Sequence, residues 1–183
     1  MSETPEATGG NRHQGREVAL QVLYAVDLAG HTSPRRRLDS PEDPDAEGGV
    51  DGGDEGAEGG PALATSVPTA EGSDRIFDRV AEHFVVPKGA LDFARELVRG
   101  VVSRLPELDA LVSLHARNWR VSRMAVVDRN VLRLGAHELR DTDTPVAVVI
   151  DEAVDLARRF GSDRSPSFVN GVLDAIAKEV RGA

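Results

Sequence analysis

Apolar residues recur at helical spacing along most of this chain, and no segment shows the strict alternation of a half-buried strand. In REVALQVLYAVDLAG, for example, Leu20, Leu23 and Val26 fall on one side of a helix. Similar stripes continue from about residue 74 to residue 180. A period of 3.6 residues places such side chains on one buried face. The sequence therefore predicts an all-α domain of about seven helices.

One dipeptide competes with this pattern, because Asn170-Gly171 is a strong hairpin signal. Ser165 and Pro166 just before it are typical of a helix start. The apolar stripe also continues beyond the dipeptide to Val180. We predict that the helix runs through Asn170 and Gly171, although glycine costs about 1 kcal/mol relative to alanine there. Gly171 is then expected to allow close approach by a neighbouring helix or by a ligand.

Other helix ends are predicted from residue types that favour them. Gly30 is expected to end the first helix, and Asp74 to cap the second. Ser122 is expected to open the fifth helix, and Thr144 to cap the sixth ahead of Pro145. The arginines of the fifth helix are expected to lie mostly away from its apolar face; they are Arg123, Arg129, Arg133 and Arg140.

The segment from Ser33 to Ser73 is rich in glycine, proline and acidic residues and has almost no large apolar side chains. It cannot bury enough surface to offset the entropy lost on ordering, so we predict a disordered acidic insert. Eleven acidic and no basic residues lie between Leu38 and Asp74, and without them the net charge changes from -9 to +2. The expected organisation is a flexible tail over 1–11, a first helix over 12–32, the insert over 33–73 and the remaining helical domain over 74–183.

The composition excludes several kinds of chemistry. The chain has no cysteine, which removes disulfides, thiolate metal sites and cysteine nucleophiles. It has no glycine-rich phosphate loop, no histidine pair at metal-ligand spacing and no serine in a nucleophile elbow. We therefore predict a non-enzymatic protein without a cofactor or a metal. The sequence also lacks a signal peptide and an apolar run of the roughly 18 residues that span a membrane, so a cytoplasmic location is expected.

The segment RHQGR places Arg12, His13 and Arg16 at or just before the predicted start of the first helix. Cations there oppose the helix dipole, so helix stability does not explain them. The guanidinium of arginine readily donates two hydrogen bonds to one phosphate, which makes this segment a candidate RNA-binding edge. The alternative is an ordinary solvated helix start.

The few aromatic residues are candidates for stacking on RNA bases. Tyr24 and Phe168 could serve this purpose or could be ordinary core residues. Trp119 lies among arginines in ARNWRVSR. Because tryptophan is usually well buried, a hydrophobic plug between helices is favoured for Trp119 over an RNA contact.

Three blocks of sequence together resemble one family. They are RHQGREVALQVLYAVDL, then NWRVSRMAVVDRNVLRLGAHEL followed by DTPVAVVIDEAVDLARRFG, and finally SPSFVNGVLD. Their order and spacing resemble the NusB family over residues 12–30 and about 75–180. The resemblance implies two small packed helical bundles. It also implies transcription antitermination in rRNA operons, in which the protein and the ribosomal protein NusE bind the boxA element of nascent ribosomal RNA and act on RNA polymerase with other Nus factors.

By position, the resemblance assigns RNA binding to six residues: Arg12, His13, Arg16, Tyr24, Phe168 and Asn170. The amide of Asn170 could equally bond the backbone of a neighbouring helix. The chain departs from the family pattern at His137, which stands where relatives often have an aromatic residue. Packing around His137 is therefore left open.

Two other functions fit the same blocks. One is the RNA-recognition module that resembles NusB in ribosomal RNA cytosine methyltransferases. Such an enzyme needs an additional α/β domain and catalytic cysteines, and this sequence, ending at Ala183, has no cysteine. The other is a helical adaptor that binds protein only. The sequence also leaves dimerisation open, since a self-interface could cover the basic edge.

Overall fold

The computed structural model describes residues 5–32, 69–117 and 119–182. Seven α-helices and one short 3-10 helix occur in these ranges, and no strand does. They are α1 (Pro5–Thr32), α2 (Ala70–Ala81), α3 (Lys88–Ser103), α4 (Leu105–His115), the 3-10 helix (Val121–Arg123), α5 (Val126–Asp141), α6 (Val146–Phe160) and α7 (Ser165–Arg181). The predicted all-α class is confirmed. The predicted acidic insert lies outside the described residues up to residue 68.

The helices pack as two small bundles, as predicted. Helices α1, α2 and α3 form the first, and α4 to α7 form the second. Helix α5 joins them because it contacts α1 and α3 on one side and α4, α6 and α7 on the other. Every residue of α5 from 129 to 139 is buried. Among the described residues no helix is both long and apolar enough to cross a membrane.

The central position of α5 explains why one prediction about its arginines is wrong. Arg129 and Arg133 are buried rather than directed away from the core. Arg129 donates from Nε to Asp27 of α1 at 2.5 Å. Arg133 donates from Nε and Nη2 to Asp109 of α4 at 2.7 and 2.8 Å. A helix that is enclosed on all sides can keep charged residues only where another element supplies the opposite charge.

Several helix boundaries differ from the predicted ones. Helix α1 begins at Pro5, seven residues before the expected start, since proline is tolerated in a first turn. It also continues past Gly30, which has no positive φ and does not cap it. Helix α2 begins at Ala70, with the hydroxyl of Thr69 accepting from the backbone N–H of Gly72 at 3.2 Å. Asp74 is therefore not the cap, and it accepts two hydrogen bonds from Arg99 of α3 instead.

Three predicted starts in the second bundle are also shifted. Ser122 belongs to the 3-10 helix, and α5 starts only after extended backbone at Met124. The hydroxyl of Thr144 is hydrogen-bonded with that of Thr142 and does not cap α6. Ser165 is the first residue of α7, and its Oγ accepts from the backbone N–H of Ser162 at 2.9 Å. Before α6 and α7, hydroxyl groups of the preceding loop therefore bond within that loop.

Helix α7 runs through Asn170 and Gly171, as predicted. A Cβ built on Gly171 meets no described atom within 4 Å, so packing against a neighbouring helix does not explain the glycine. The substitution Gly171→Ala should therefore raise the free energy of unfolding by about 0.5 to 1 kcal/mol, because alanine is the better helix former. Urea unfolding measures this change.

Gly15→Ala is the matched control for that measurement. A Cβ at Gly15 would lie 2.8 Å from the carbonyl oxygen of Ala90 and 2.8 Å from Cδ1 of Phe93. This alanine should lower stability, because α1 and α3 would have to separate. Equal destabilisation by both substitutions would contradict the open surroundings of Gly171.

His137 fills a space beside a glycine of the first bundle. Its ring packs directly on Gly100 of α3, where any Cβ would collide with it. Burial lowers the pKa of His137 from its ordinary value of 6.5, although a hydrogen bond from Nδ1 to Asp141 at 3.1 Å acts in the opposite direction. Glu138 also favours the charged form, and Arg104 opposes it. The neutral imidazole is therefore the form that the fold accommodates.

This pKa shift predicts a loss of stability in acid. Because the unfolded chain binds the His137 proton more readily than the folded chain, the contribution is lost as the pH falls below about 6.5. His137→Phe keeps a ring against Gly100 but cannot bind a proton, so its urea midpoint should fall less than that of the wild type between about pH 7.5 and pH 5.5. Identical decreases in the two proteins would exclude His137 as a source of the acid sensitivity.

Candidate nucleic-acid interface

The predicted basic segment lies inside α1 rather than at its end. Arg12 is the eighth residue of the helix, so Arg12, His13 and Arg16 do not stand beside free N-terminal backbone donors. The interpretation based on the helix dipole is therefore wrong for these residues. What distinguishes them is the surface or neighbour that each one faces.

Arg16 is buried, with 3% of its surface exposed. Its Nε and Nη2 donate to the two carboxylate oxygens of Glu138 on α5 at 2.8 and 2.7 Å. Its Nη1 lies 3.6 Å from Oε2 of Glu152 on α6, and its guanidinium lies 5.4 Å from the ring centre of Phe93. A phosphate could reach Arg16 only by displacing Glu138. The geometry thus assigns Arg16 to holding α1 against α5 and α6, and its predicted RNA contact stays a prediction.

Arg12 and His13 remain nearer the surface. Arg12 is exposed, with its guanidinium 5.5 Å from the ring centre of Phe93, and no described carboxylate pairs with it. His13 is half-exposed, and both of its ring nitrogens face carboxylates, Nδ1 at 2.9 Å from Glu152 and Nε2 at 3.3 Å from Glu17. Arg12 is therefore the residue of this segment that is best placed to contact a phosphate.

A shallow cleft of about 330 Å³ lies between α1 and α6, next to His13. Its lining residues are His13, Glu17, Asp155, Leu156, Arg158 and Arg159. The two arginines are already paired, Arg158 with Asp155 and Arg159 with Glu17. Because acidic and basic groups balance each other here, the cleft offers little net attraction to a polyanion.

Tyr24 lies on the same side of α1 as His13, eleven residues later, which is about 16 Å along the helix axis. Its side chain is exposed, with 39% of the residue's surface accessible. The alternative that Tyr24 is an ordinary core residue is therefore wrong. An accessible ring at this point could stack on a base.

Phe168 and Trp119 form an aromatic pair at the start of α7. Their ring centres are 5.8 Å apart, and the ring planes are tilted by 54°. Phe168 is half-buried, whereas Trp119 is 56% exposed. The expected role of Trp119 as a buried plug is wrong, because most of its surface is exposed, whereas its neighbours Ala116 and Val121 are buried.

Asn170, two residues after Phe168 on α7, is exposed. Its amide makes no hydrogen bond within the described part of the chain, so the alternative of a bond to a neighbouring helix is not observed. The amide is therefore available to a ligand.

Four exposed arginines lie within four residues of Trp119 or Phe168 in the sequence: Arg117, Arg120, Arg123 and Arg164. None of them pairs with a carboxylate among the described residues. Arg164 stands one turn before Phe168, whose backbone N–H donates to its carbonyl oxygen at 3.1 Å. These arginines were not among the residues predicted for the site. Three of them occur in RNWRVSR, a segment without an acidic residue. That excess of positive charge is the sequence pattern from which they could have been predicted.

The structure thus places the predicted residues in two groups. Arg12, His13 and Arg16 meet around Phe93 and Glu152, while Phe168 and Asn170 lie with Trp119 at the start of α7. Tyr24 lies apart from both groups, further along α1. Within the described ranges no group of three or more histidine, aspartate or glutamate residues is placed to hold a metal ion.

Comparison with known proteins identifies the family. The NusB family matches residues 65–178. Transcription antitermination protein NusB of Anaeromyxobacter dehalogenans strain 2CP-1 is 48% identical over 167 residues, which cover 91% of this chain and 89% of the relative. The corresponding protein of Myxococcus xanthus is 37% identical over 169 residues, covering 92% and 95%.

Solved structures agree with these matches. T. maritima NusB is similar with a TM-score of 0.65 and 29% identity, covering 97% of this chain and 94% of that one. A chain from the crystal structure of the antitermination factors NusB and NusE in complex with dsRNA has a TM-score of 0.64 and 27% identity, covering 92% and 97%. The fold and these relatives define a helical transcription antitermination protein, a class without enzymatic activity. The chain belongs to the NusB family.

Proposed function

We propose that this chain is an antitermination factor that binds the boxA element of nascent ribosomal RNA jointly with NusE. Two relatives described above are named transcription antitermination proteins. A similar structure holds NusB and NusE with RNA, which supports the same two partners here. The complex would act on RNA polymerase in rRNA operons, together with other Nus factors.

The observation that carries this proposal is the aromatic pair of Phe168 and Trp119 at the surface among unpaired arginines. Single-stranded RNA is typically bound by stacking its bases on aromatic rings while basic side chains contact the phosphates. The start of α7 offers both kinds of group within one turn of helix.

We assign the RNA contacts to the accessible members of the predicted set. Phe168 would stack on a base, Asn170 would hydrogen-bond a base edge or a phosphate, and Arg12 would contact the phosphate backbone. Tyr24 is exposed on the side of α1 that carries His13, and both would lie along the path of the RNA. Arg16 would hold α1 in position through its hydrogen bonds to Glu138 of α5.

The test is a titration of labelled boxA RNA with the full chain, with and without NusE, followed by fluorescence anisotropy. NusE should tighten binding by about 5- to 150-fold, the usual range for coupled ligands. An RNA of the same composition in scrambled order is the control. Equal affinity for the two RNAs, with NusE present, would contradict the proposal.

The same titration separates the two alternatives. A protein-only adaptor would bind NusE but shift neither RNA. A methyltransferase recognition module is disfavoured, because the chain covers 95% and 89% of two relatives that are named antitermination proteins.

A further inference from the structure

We propose that Trp119 is a second base-stacking platform and that Arg117, Arg120 and Arg123 bind the phosphates beside it. The inference rests on the proposed RNA-binding function and extends it beyond Phe168. It assigns a stretch of single-stranded RNA to residues 117 and 119–123, which lie between α4 and α5.

Trp119 is unusually exposed for a tryptophan. More than half of this large apolar residue, 56%, remains in water, although tryptophan is normally well buried. Phe168 meets it in a tilted arrangement and leaves much of the indole accessible. Covering the indole with a flat base would remove this surface from water while keeping contact with Phe168.

The segment that carries Trp119 has an excess of positive charge. Several arginines elsewhere on the described surface are paired with carboxylates, for example Arg95 and Arg99 with Asp74, and Arg140 with Glu107. In contrast, the three arginines of the segment from 117 to 123 have no carboxylate partner among the described residues. The loop between α6 and α7, which carries Arg164, also contains one acidic residue, Asp163. Excess positive charge beside an open aromatic ring complements a nucleic acid strand, which carries phosphates and flat bases together.

Backbone hydrogen bonds and buried side chains hold residues 119–124 in place before any ligand binds. The backbone N–H of Trp119 donates to the carbonyl oxygen of Ala116 at 3.0 Å, and that of Arg123 donates to Arg120 at 2.8 Å. Val121 and Met124 anchor the loop in the core. A site whose groups are already fixed loses little entropy on binding.

Trp119 is the single tryptophan of the chain, so its fluorescence reports directly on this site. Adding boxA RNA to the full chain without NusE should quench that fluorescence, with the same midpoint as binding measured by anisotropy. Trp119→Leu should weaken RNA binding by about 5- to 150-fold. Trp119→Phe, which keeps a ring, should recover part of the affinity. Unfolding curves of both variants verify that the exposed position tolerates the change.

The arginines are tested through the salt dependence of binding. Arg120→Ala and Arg123→Ala should each reduce the slope of log affinity against log salt by about 0.7, the value expected for one lost phosphate contact with a single strand. Arg75→Ala and Arg79→Ala are controls of equal charge on the exposed side of α2. They should leave the slope unchanged.

The outcomes distinguish this inference from the proposed function. If the wild type binds boxA RNA but Trp119 fluorescence is unchanged and Trp119→Leu binds equally well, the inference is overturned and the function stands. If NusE alone changes the fluorescence and RNA does not, the surface binds protein and the inference is again overturned. If boxA RNA does not bind even with NusE present, both proposals are contradicted.

Discussion

Arg16→Met should lower the free energy of unfolding by about 3 to 5 kcal/mol, the largest effect expected of any substitution considered for this chain. The reason is that Glu138 is as deeply buried as Arg16 and would keep its charge without its bidentate partner. Glu152, at 3.6 Å from Arg16, would lose a second cation. Urea unfolding at neutral pH measures the loss.

Two further variants identify its cause. Arg12→Met removes an arginine one turn earlier, but at an exposed position, and should change stability by less than about 0.5 kcal/mol. Combining Arg16→Met with Glu138→Leu should recover much of the loss, because an apolar pair then replaces the buried charges. Unchanged stability of Arg16→Met would contradict a structural role and return Arg16 to the candidate RNA contacts.

Phe168→Leu should weaken binding of boxA RNA by about 5- to 150-fold, the range expected when one stacked base loses its ring. Leucine keeps an apolar side chain in this half-buried position, so the fold should persist. Since no charge is lost, the dependence of affinity on salt should stay the same. Anisotropy titrations over a series of salt concentrations measure both quantities.

Arg12→Ala should change the salt dependence of binding, which Phe168→Leu should not. It removes a cation and no ring, so affinity should fall together with the salt slope, by about 0.7 for one phosphate contact. Wild-type affinity of Phe168→Leu for boxA RNA, in a protein that remains folded, would show that the start of α7 does not hold a base.

The helices could be predicted from the sequence because apolar spacing depends only on near neighbours along the chain. The apolar stripe on either side of Gly171 correctly predicted a continuous helix, although Asn170-Gly171 is a hairpin signal. Helix ends were less predictable. Pro5 and Thr69 start their helices at positions where the sequence offers several comparable residues, and Ser122 precedes a 3-10 helix instead of opening α5.

Residues of the candidate site could be predicted from the sequence only where the residue type correctly indicates whether its side chain is exposed. Arg16 has the same local sequence signal as Arg12, yet its partner Glu138 lies 122 residues away, and nothing in the local pattern indicates that pairing. Arg133 is buried for the same reason, through Asp109 of another helix. For Trp119 the usual preference of tryptophan for the interior gave the wrong result.

Photo-crosslinking of boxA RNA to the full chain with NusE, followed by mass spectrometry of the peptides, locates the bound RNA most directly. RNA adducts are expected on the peptides that carry Trp119 and Phe168. Adducts confined to α2 and α3, for example around Arg75 and Arg79, would contradict an RNA-binding surface at the start of α7.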